Sequence, residues 1–351
     1  MRTLPVNLQE NWSDRAHVEF VLVDFNPSID DDRSLQDFVL SRFRQELRSG
    51  YLRYFQSAAL SSWHASVAKN TAHSVARGRI LVNLDGDNFV GKHGARFVAR
   101  QFFRTAAVNE KNEAADDSGE YWRSLRCAEP RVIVLHQRAG NGTYGRISVR
   151  REDFEALGGY NESFAPMSAQ DLDLMLRIAA LHRSVVTRSN KSIHSYAISN
   201  DKERSVRYCT DNRYANMTWR QMKSINAVAM RESRLAHGLL TNVGQPHIGV
   251  SPASLHYYGA HFDRLVPYEG RYVVPPNEKD LEKHRGTRPD AFAADRGRAS
   301  LWSAEQTSRL RQLRRYTSTR SDRAKRRALL QQRNDRQQRL ERLKQFADSS
   351  G

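Results

Sequence analysis

Along the first 250 residues or so, short apolar runs alternate with apolar stripes at helical spacing, a pattern that confines the chain to an α/β fold. Residues 19–25 (EFVLVDF) read as a buried strand, after which Leu35, Phe38, Val39, Phe43 and Leu47 recur with the period of a helix. A short strand is expected at 51–55. A helix over 62–76, closed by Gly78, leads into an apolar run that ends at Asp85. Phe97, Val98 and Phe102 mark a further helix, and 131–135 and 145–149 two further strands. Leu172, Met175, Leu176 and Ile178 form the stripe of a helix over 171–181, and 214–240 reads as a long interrupted helix. Strands separated by helices predict a mainly parallel, Rossmann-like sheet flanked by helices.

Composition narrows the classes. No run approaches the roughly eighteen apolar residues of a membrane span, and the first residues lack an apolar secretion core. Cys127 and Cys209 are too few for a disulfide framework or a Cys-rich zinc site, which points to a cytoplasmic protein, peripheral to a membrane at most. Most of the formal charge of +17 lies beyond residue 280. Basicity is thus a property of the tail and argues against a nucleic-acid-binding core. Three parts are expected: a catalytic-type domain over 1–250, an extension over 251–294 that packs on it, and a basic helical or disordered tail over 295–351. Residues 272–274 read as a short strand before Pro275-Pro276, and the polar stretch 109–120 as a surface loop. The tail has only a sparse stripe of Leu329, Leu330, Leu340 and Leu343, so it reads as a solvated charge run, with an acidic surface or nucleic acid as its only conceivable partners.

The chemistry concentrates where Ile80-Leu81-Val82-Asn83-Leu84 runs into Asp85-Gly86-Asp87-Asn88. In open α/β sheets, ligands gather beyond the carboxyl ends of the strands. Carboxylates two residues apart on an extended segment point to one side. Such a pair suits a hard divalent cation that keeps positions open for phosphate oxygens. The same four residues are also ordinary turn chemistry, so the motif gains weight only from its neighbours.

Those neighbours carry a resemblance. Asp24 at a strand end, Ala68-Lys69-Asn70 on a helix, and Asn83-Leu84-Asp85-Gly86-Asp87-Asn88 follow an order that resembles the nucleotide-sugar glycosyltransferases of the GT-A fold, of the family 2 and galactosyltransferase C-terminal kinds. Residues 144–164, which include Gly158-Gly159-Tyr160-Asn161-Glu162, are similar to that family's strand, short helix and Gly-Gly-aromatic block. The acidic pair that opens the next helix is here Ala169-Gln170-Asp171-Leu172-Asp173. The resemblance covers about residues 1–250. It implies metal-dependent transfer of a sugar from a nucleoside-diphosphate sugar to a hydroxyl of a glycan, lipid or protein. It places Mn²⁺ or Mg²⁺ on Asp85 and Asp87, with His194 as a third ligand. Asp24, Lys69, Asn70 and Arg146 fall at the nucleotide and its phosphates, Gly158, Gly159 and Gln170 at the acceptor. Asp171 becomes the general base, with Asp173 the weaker alternative. Inversion by direct displacement follows, because a base candidate is visible and a dedicated nucleophile is not. His247 is a lesser candidate ligand, and of His64 and His73 on the Lys69 helix, His64 could face the nucleotide although a surface position is its ordinary reading.

Two departures qualify the resemblance. Ala169-Gln170 stands where the family often has Gly-Glu. The family also begins with a strand before the region matching 19–25, whereas only eighteen residues precede it here, and 4–8 read as the helix that follows that strand. A fragment or misassigned start, an infilling segment such as 271–274, or an inactive copy would each account for this, the first being favoured. The expectation is an open gap beside strand 19–25 or an inserted segment there. The competing functions are a non-catalytic, transferase-like binding protein and, for the tail alone, nucleic-acid binding.

Overall fold

In the computed structural model, which describes residues 2–25, 34–105, 125–128, 132–135, 145–182, 185–188, 198, 202–211, 213–258, 264–277 and 279–280, the apolar runs form two four-stranded sheets and a two-stranded ribbon. In the first sheet β1 (Phe20–Phe25) runs parallel to β2 (Leu52–Ser57), with Phe20 opposite Leu52 and Phe25 opposite Ser57. The antiparallel strands β9 (His256–Tyr258) and β10 (Leu265–Pro267) extend it beyond β2. The second sheet has the order β3 (Ile80–Val82), β7 (Ile147–Arg150), β6 (Val132–Leu135), β8 (Val185–Arg188). Only β6 and β8 are parallel in it. The ribbon pairs β4 (Phe103–Thr105) with β5 (Leu125–Ala128). The chain is therefore a mixed α/β protein. Each sheet contains one parallel ladder, and its other ladders are antiparallel.

The helices are α1 (Thr3–Glu10), α2 (Leu35–Arg42), α3 (Arg44–Ser49), α4 (Ala65–Val75), α5 (Gly94–Phe102), α6 (Arg151–Ala156), α7 (Gln170–His182), α8 (Lys202–Val206) and α9 (Trp219–His237). The single helix expected through Leu35 and Leu47 is two, divided at Phe43, whose ring is buried. The long helix expected at 214–240 is shorter. Thr218 and Gln221 form a capping box that sets its start, and Gly238 at φ 64° ends it. Residues 272–274 are not a strand, since 271–277 have no regular structure. The loop expected at 109–120 and the tail beyond 295 lie outside the described residues. Among those residues, no helix is long and apolar enough to cross a membrane.

The first fifteen residues supply no strand. They form α1 and the 3-10 turn Trp12–Asp14. Among the described residues β1 pairs on one edge only, with β2. All six of its residues are half-exposed, although its sequence FVLVDF is almost wholly apolar. Beside its start, the Glu19 carboxylate accepts from the backbone N–H groups of Arg77 and Gly78, just ahead of β3.

α1 fixes the loop after β3. Thr3, Asn7, Asn11 and Asp14 recur at helical spacing as one buried polar stripe. Thr3 Oγ1 donates to Gly86 O at 2.6 Å, and Asn7 Nδ2 to Asn88 O at 3.0 Å, while Asn7 Oδ1 accepts from Val90 N at 2.8 Å. Asn11 holds Gly91 and Ala95 in the same way, and Asp14 Oδ1 pairs with Arg96 at 2.6 Å. Buried backbone groups need partners, and these side chains supply several of them in the loop after β3.

Candidate active site

Asp85, three residues beyond the end of β3, and Asp171, on the first turn of α7, meet at one ammonium group. Lys69 Nζ, on α4, lies 2.7 Å from Asp171 Oδ1 and 3.4 Å from Asp85 Oδ1. Asn83 Nδ2 also donates to Asp85 Oδ1, at 3.0 Å, and to Gly145 O at 2.8 Å. The second oxygens of both acids lie over Gly145. A Cβ there would stand 2.7 Å from Asp85 Oδ2 and 3.1 Å from Asp171 Oδ2, so only glycine fits beneath them. Lys69 also lies 5.4 Å from the centre of the fully buried Tyr160 ring.

The electrostatics separates the two acids. Burial pushes the Asp171 carboxyl up, the Lys69 ammonium pulls it back, and the Asp85 charge adds to the rise, leaving it above the usual range. Burial acts the same way on Asp85, but Lys69 and Asn83 outweigh it and hold that carboxyl low. Two carboxylates with opposite shifts around one cation suit one group for accepting a proton and the other for staying ionised.

Arg146 follows Gly145 and is fully buried. Its Nη1 donates to Phe89 O, while its Nε and Nη2 have no hydrogen-bond partner. Burial pushes its guanidinium down to about 10, against the pull of Asp85. A buried guanidinium with open donors is expensive unless an anion joins it.

No family model and no curated protein matches this chain. Its chemistry must be read from the side chains themselves.

Several expectations change at this point. Asn70, expected at the nucleotide, is fully buried and its amide is occupied. It donates to Tyr160 O at 2.8 Å and Glu162 Oε1 at 2.6 Å, and accepts from Tyr160 N at 2.8 Å. Lys69 is engaged by carboxylates rather than held open for phosphate. Gly158 and Gly159, expected at the acceptor, are buried backbone devices at φ 77° and 72°. A Cβ would come within 2.1 Å of Thr241 O at the first, and within 2.6 Å of Asn70 Oδ1 at the second. Asp173 is excluded as a base, because it is buried in an ion pair with Arg177 at 2.8 Å. Arg177 also donates to Leu157 O and Gly159 O, tying α7 to the glycine turn.

His64 is half-buried and engaged at both ring nitrogens. Its Nδ1 accepts from Val67 N and caps α4, so its Nε2 carries the proton and donates to Phe164 O at 2.9 Å. His73 packs edge-on against Phe154, and burial pushes it down to about 3. His247 lies edge-on to Tyr272. His194 lies outside the described residues. Asp24 accepts from Tyr54 OH at 2.7 Å, and burial raises its carboxyl against that bond. Gln170 is buried, with its Oε1 unpartnered.

The Asp-x-Asp pair divides in its contacts. Asp85 faces Lys69 and Gly145, while Asp87 Oδ1 accepts from Asn88 Nδ2 at 2.7 Å and its carbonyl accepts from Ile198 N at 2.7 Å. Among the described residues, no three His, Cys, Asp or Glu side chains form a metal shell. The donors present are carboxylate oxygens, which fit a hard cation better than a soft one. An ammonium now lies against Asp85, where such a cation would share the carboxylate.

One further site residue escaped the sequence reading. Ser168 and Ala169, immediately before α7, have φ of 81° and 67°, a region that costs a residue with a Cβ about 1–2 kcal/mol. Asn226 on α9 holds that turn. Fully buried, it donates to the carbonyls of Ala165, Met167 and Ser168 and accepts from Ala165 N.

Proposed function

We propose that this protein moves a sugar from a nucleoside-diphosphate sugar to a hydroxyl acceptor, as a GT-A-type glycosyltransferase. The observation that carries the reading is the meeting of Asp85 and Asp171 at Lys69 and Gly145, because Lys69 and Asp171 lie 102 residues apart in sequence. Asp171 takes the hydroxyl proton as the acceptor oxygen bonds to the anomeric carbon and the carbon–oxygen bond to the diphosphate breaks. Its raised carboxyl suits that task, and Lys69 keeps it ionised beforehand. The buried Arg146 guanidinium, close enough to feel the Asp85 charge, adds positive potential that favours a diphosphate. Mn²⁺ or Mg²⁺, when bound, would be held by Asp85 with Asp87 and would neutralise charge on the leaving diphosphate. Gln170 in place of a carboxylate bears on the choice of acceptor.

The test is nucleotide release from a panel of sugar nucleotides in Mn²⁺. Asp171→Asn is expected to lower turnover by about 10²–10⁴-fold while nucleoside-diphosphate binding persists, whereas Asp85→Ala weakens that binding. Release at the wild-type rate by Asp171→Asn removes the base from the reading. A second reading, a non-catalytic nucleotide-binding protein, draws on β1 having, among the described residues, a strand partner on one edge only. Tight diphosphate binding with no turnover of any donor would favour it.

A further inference from the structure

A second cavity, of about 700 Å³, is lined by Arg53, Arg77, Arg151, Arg271, Tyr257 and Tyr268 among others. Arg77 and Arg151 lie by the start of β3 and Asp85 and Gly145 beyond its end, so the two sites stand at opposite ends of that strand. The cavity therefore stands apart from the acid cluster and does not depend on the reading given to that cluster.

Its arginines divide into two kinds. Arg53 and Arg151 are largely buried and fixed by main-chain carbonyls. Arg53 donates to Val75 O at 2.6 Å, and Arg151 to Ala76 O at 2.6 Å and Gly78 O at 2.9 Å. Arg77 and Arg271 are exposed, at 63% and 67% of their side chains. Each of these holds one carboxylate that it shares with a buried arginine. Glu19 serves Arg77 at 2.9 Å and Arg53 at 3.5 Å, and Glu155 serves Arg271 at 2.6 Å and Arg151 at 3.2 Å. Four guanidiniums thus face Glu19, Glu155 and the lining Glu269, and the wall stays positive.

The remaining lining includes two half-buried tyrosines. The Tyr257 and Tyr268 rings meet edge to face at 5.9 Å, beside Pro267. Aromatic faces of this kind accept the C–H face of a sugar ring, and a guanidinium fork matches a carboxylate with two parallel bonds. Glu269 accepts hydroxyl donors. A sugar chain offers these at every residue, whereas the backbone of a nucleic acid presents mainly acceptor oxygens.

We infer that this cavity binds an acidic oligosaccharide, its carboxylates gripped by Arg77 and Arg271 and its rings laid against Tyr257 and Tyr268. The experiment titrates the full chain calorimetrically with trigalacturonate and, separately, with neutral maltotriose. The wild type should bind the acid trimer and not the neutral one. Arg77→Ala/Arg271→Ala, both changes at exposed side chains, should weaken trigalacturonate at least tenfold with little change in melting temperature. Arg326→Ala/Arg327→Ala in the basic tail should bind as the wild type does. The inference is overturned if the wild type does not bind trigalacturonate, if maltotriose binds equally, if the cavity variant binds within threefold of wild type, or if the tail variant accounts for the loss.

Discussion

Replacing Lys69 by methionine keeps the side chain's length and removes its charge from between Asp85 and Asp171. The ammonium lies 2.7 Å and 3.4 Å from the two acids, and its own side chain is 12% exposed. Removing one member of a buried pair costs about 3–5 kcal/mol. Asp171 at 22% and Asp85 at 35% exposure are partly screened by water, which brings the expected loss to about 2–3 kcal/mol, or roughly 5 °C in melting temperature. The sign with pH follows from the same contacts. In the wild type the pair raises the Lys69 ammonium, so its contribution is complete well below the ordinary lysine range and is present at pH 8. In the variant both carboxyls lose their cation and rise above their unfolded values. The folded state then gains relative stability as it takes up a proton. The deficit should be full at pH 8 and shrink as pH falls through the raised carboxyl range. Urea titration followed by tryptophan fluorescence at pH 8 and pH 5 measures this. Equal midpoints at pH 8, or a deficit that does not narrow at pH 5, would refute the placement of the ammonium between the acids.

Asn226→Ala removes a fully buried side chain that makes four hydrogen bonds to the turn at 165–168. It should destabilise the protein by about 2–4 kcal/mol in urea denaturation, and it should lower any sugar transfer through misplacement of Asp171. His73→Phe addresses acid sensitivity. Burial holds His73 down to about 3, so the unfolded chain binds the extra proton between about pH 6.5 and 3 and wild-type stability falls across that window. The phenylalanine variant should lose less stability than wild type between pH 7 and pH 4.5, and parallel losses in the two proteins would contradict the burial argument.

Much of the architecture was legible because apolar period reports burial directly. Strands 19–25, 131–135 and 145–149 and the helix carrying Lys69 were expected close to where they occur. The acid cluster was legible in part. Asp85, Asp171 and Lys69 were each singled out, but their union at Gly145 depends on how three separate elements pack, which no local pattern encodes. The roles of Asn70 and the glycine pair were misjudged for a related reason. A polar side chain or a glycine beside a site looks alike in sequence whether it touches ligand or holds backbone. The α1 stripe of Thr3, Asn7, Asn11 and Asp14 did carry a signal, since small polar residues at helical spacing within a buried helix imply a loop that needs partners. Asn226 gave no comparable sign, being one polar residue in a helix rich in them.

Among the described residues the outer edge of β1 has no strand beside it, which bears on handling as well as on architecture. An apolar strand paired on one edge alone is a template for an extended chain. Concentrated solutions should therefore self-associate through strand addition, with salt promoting it by screening the mutual repulsion of molecules carrying a formal charge of +17.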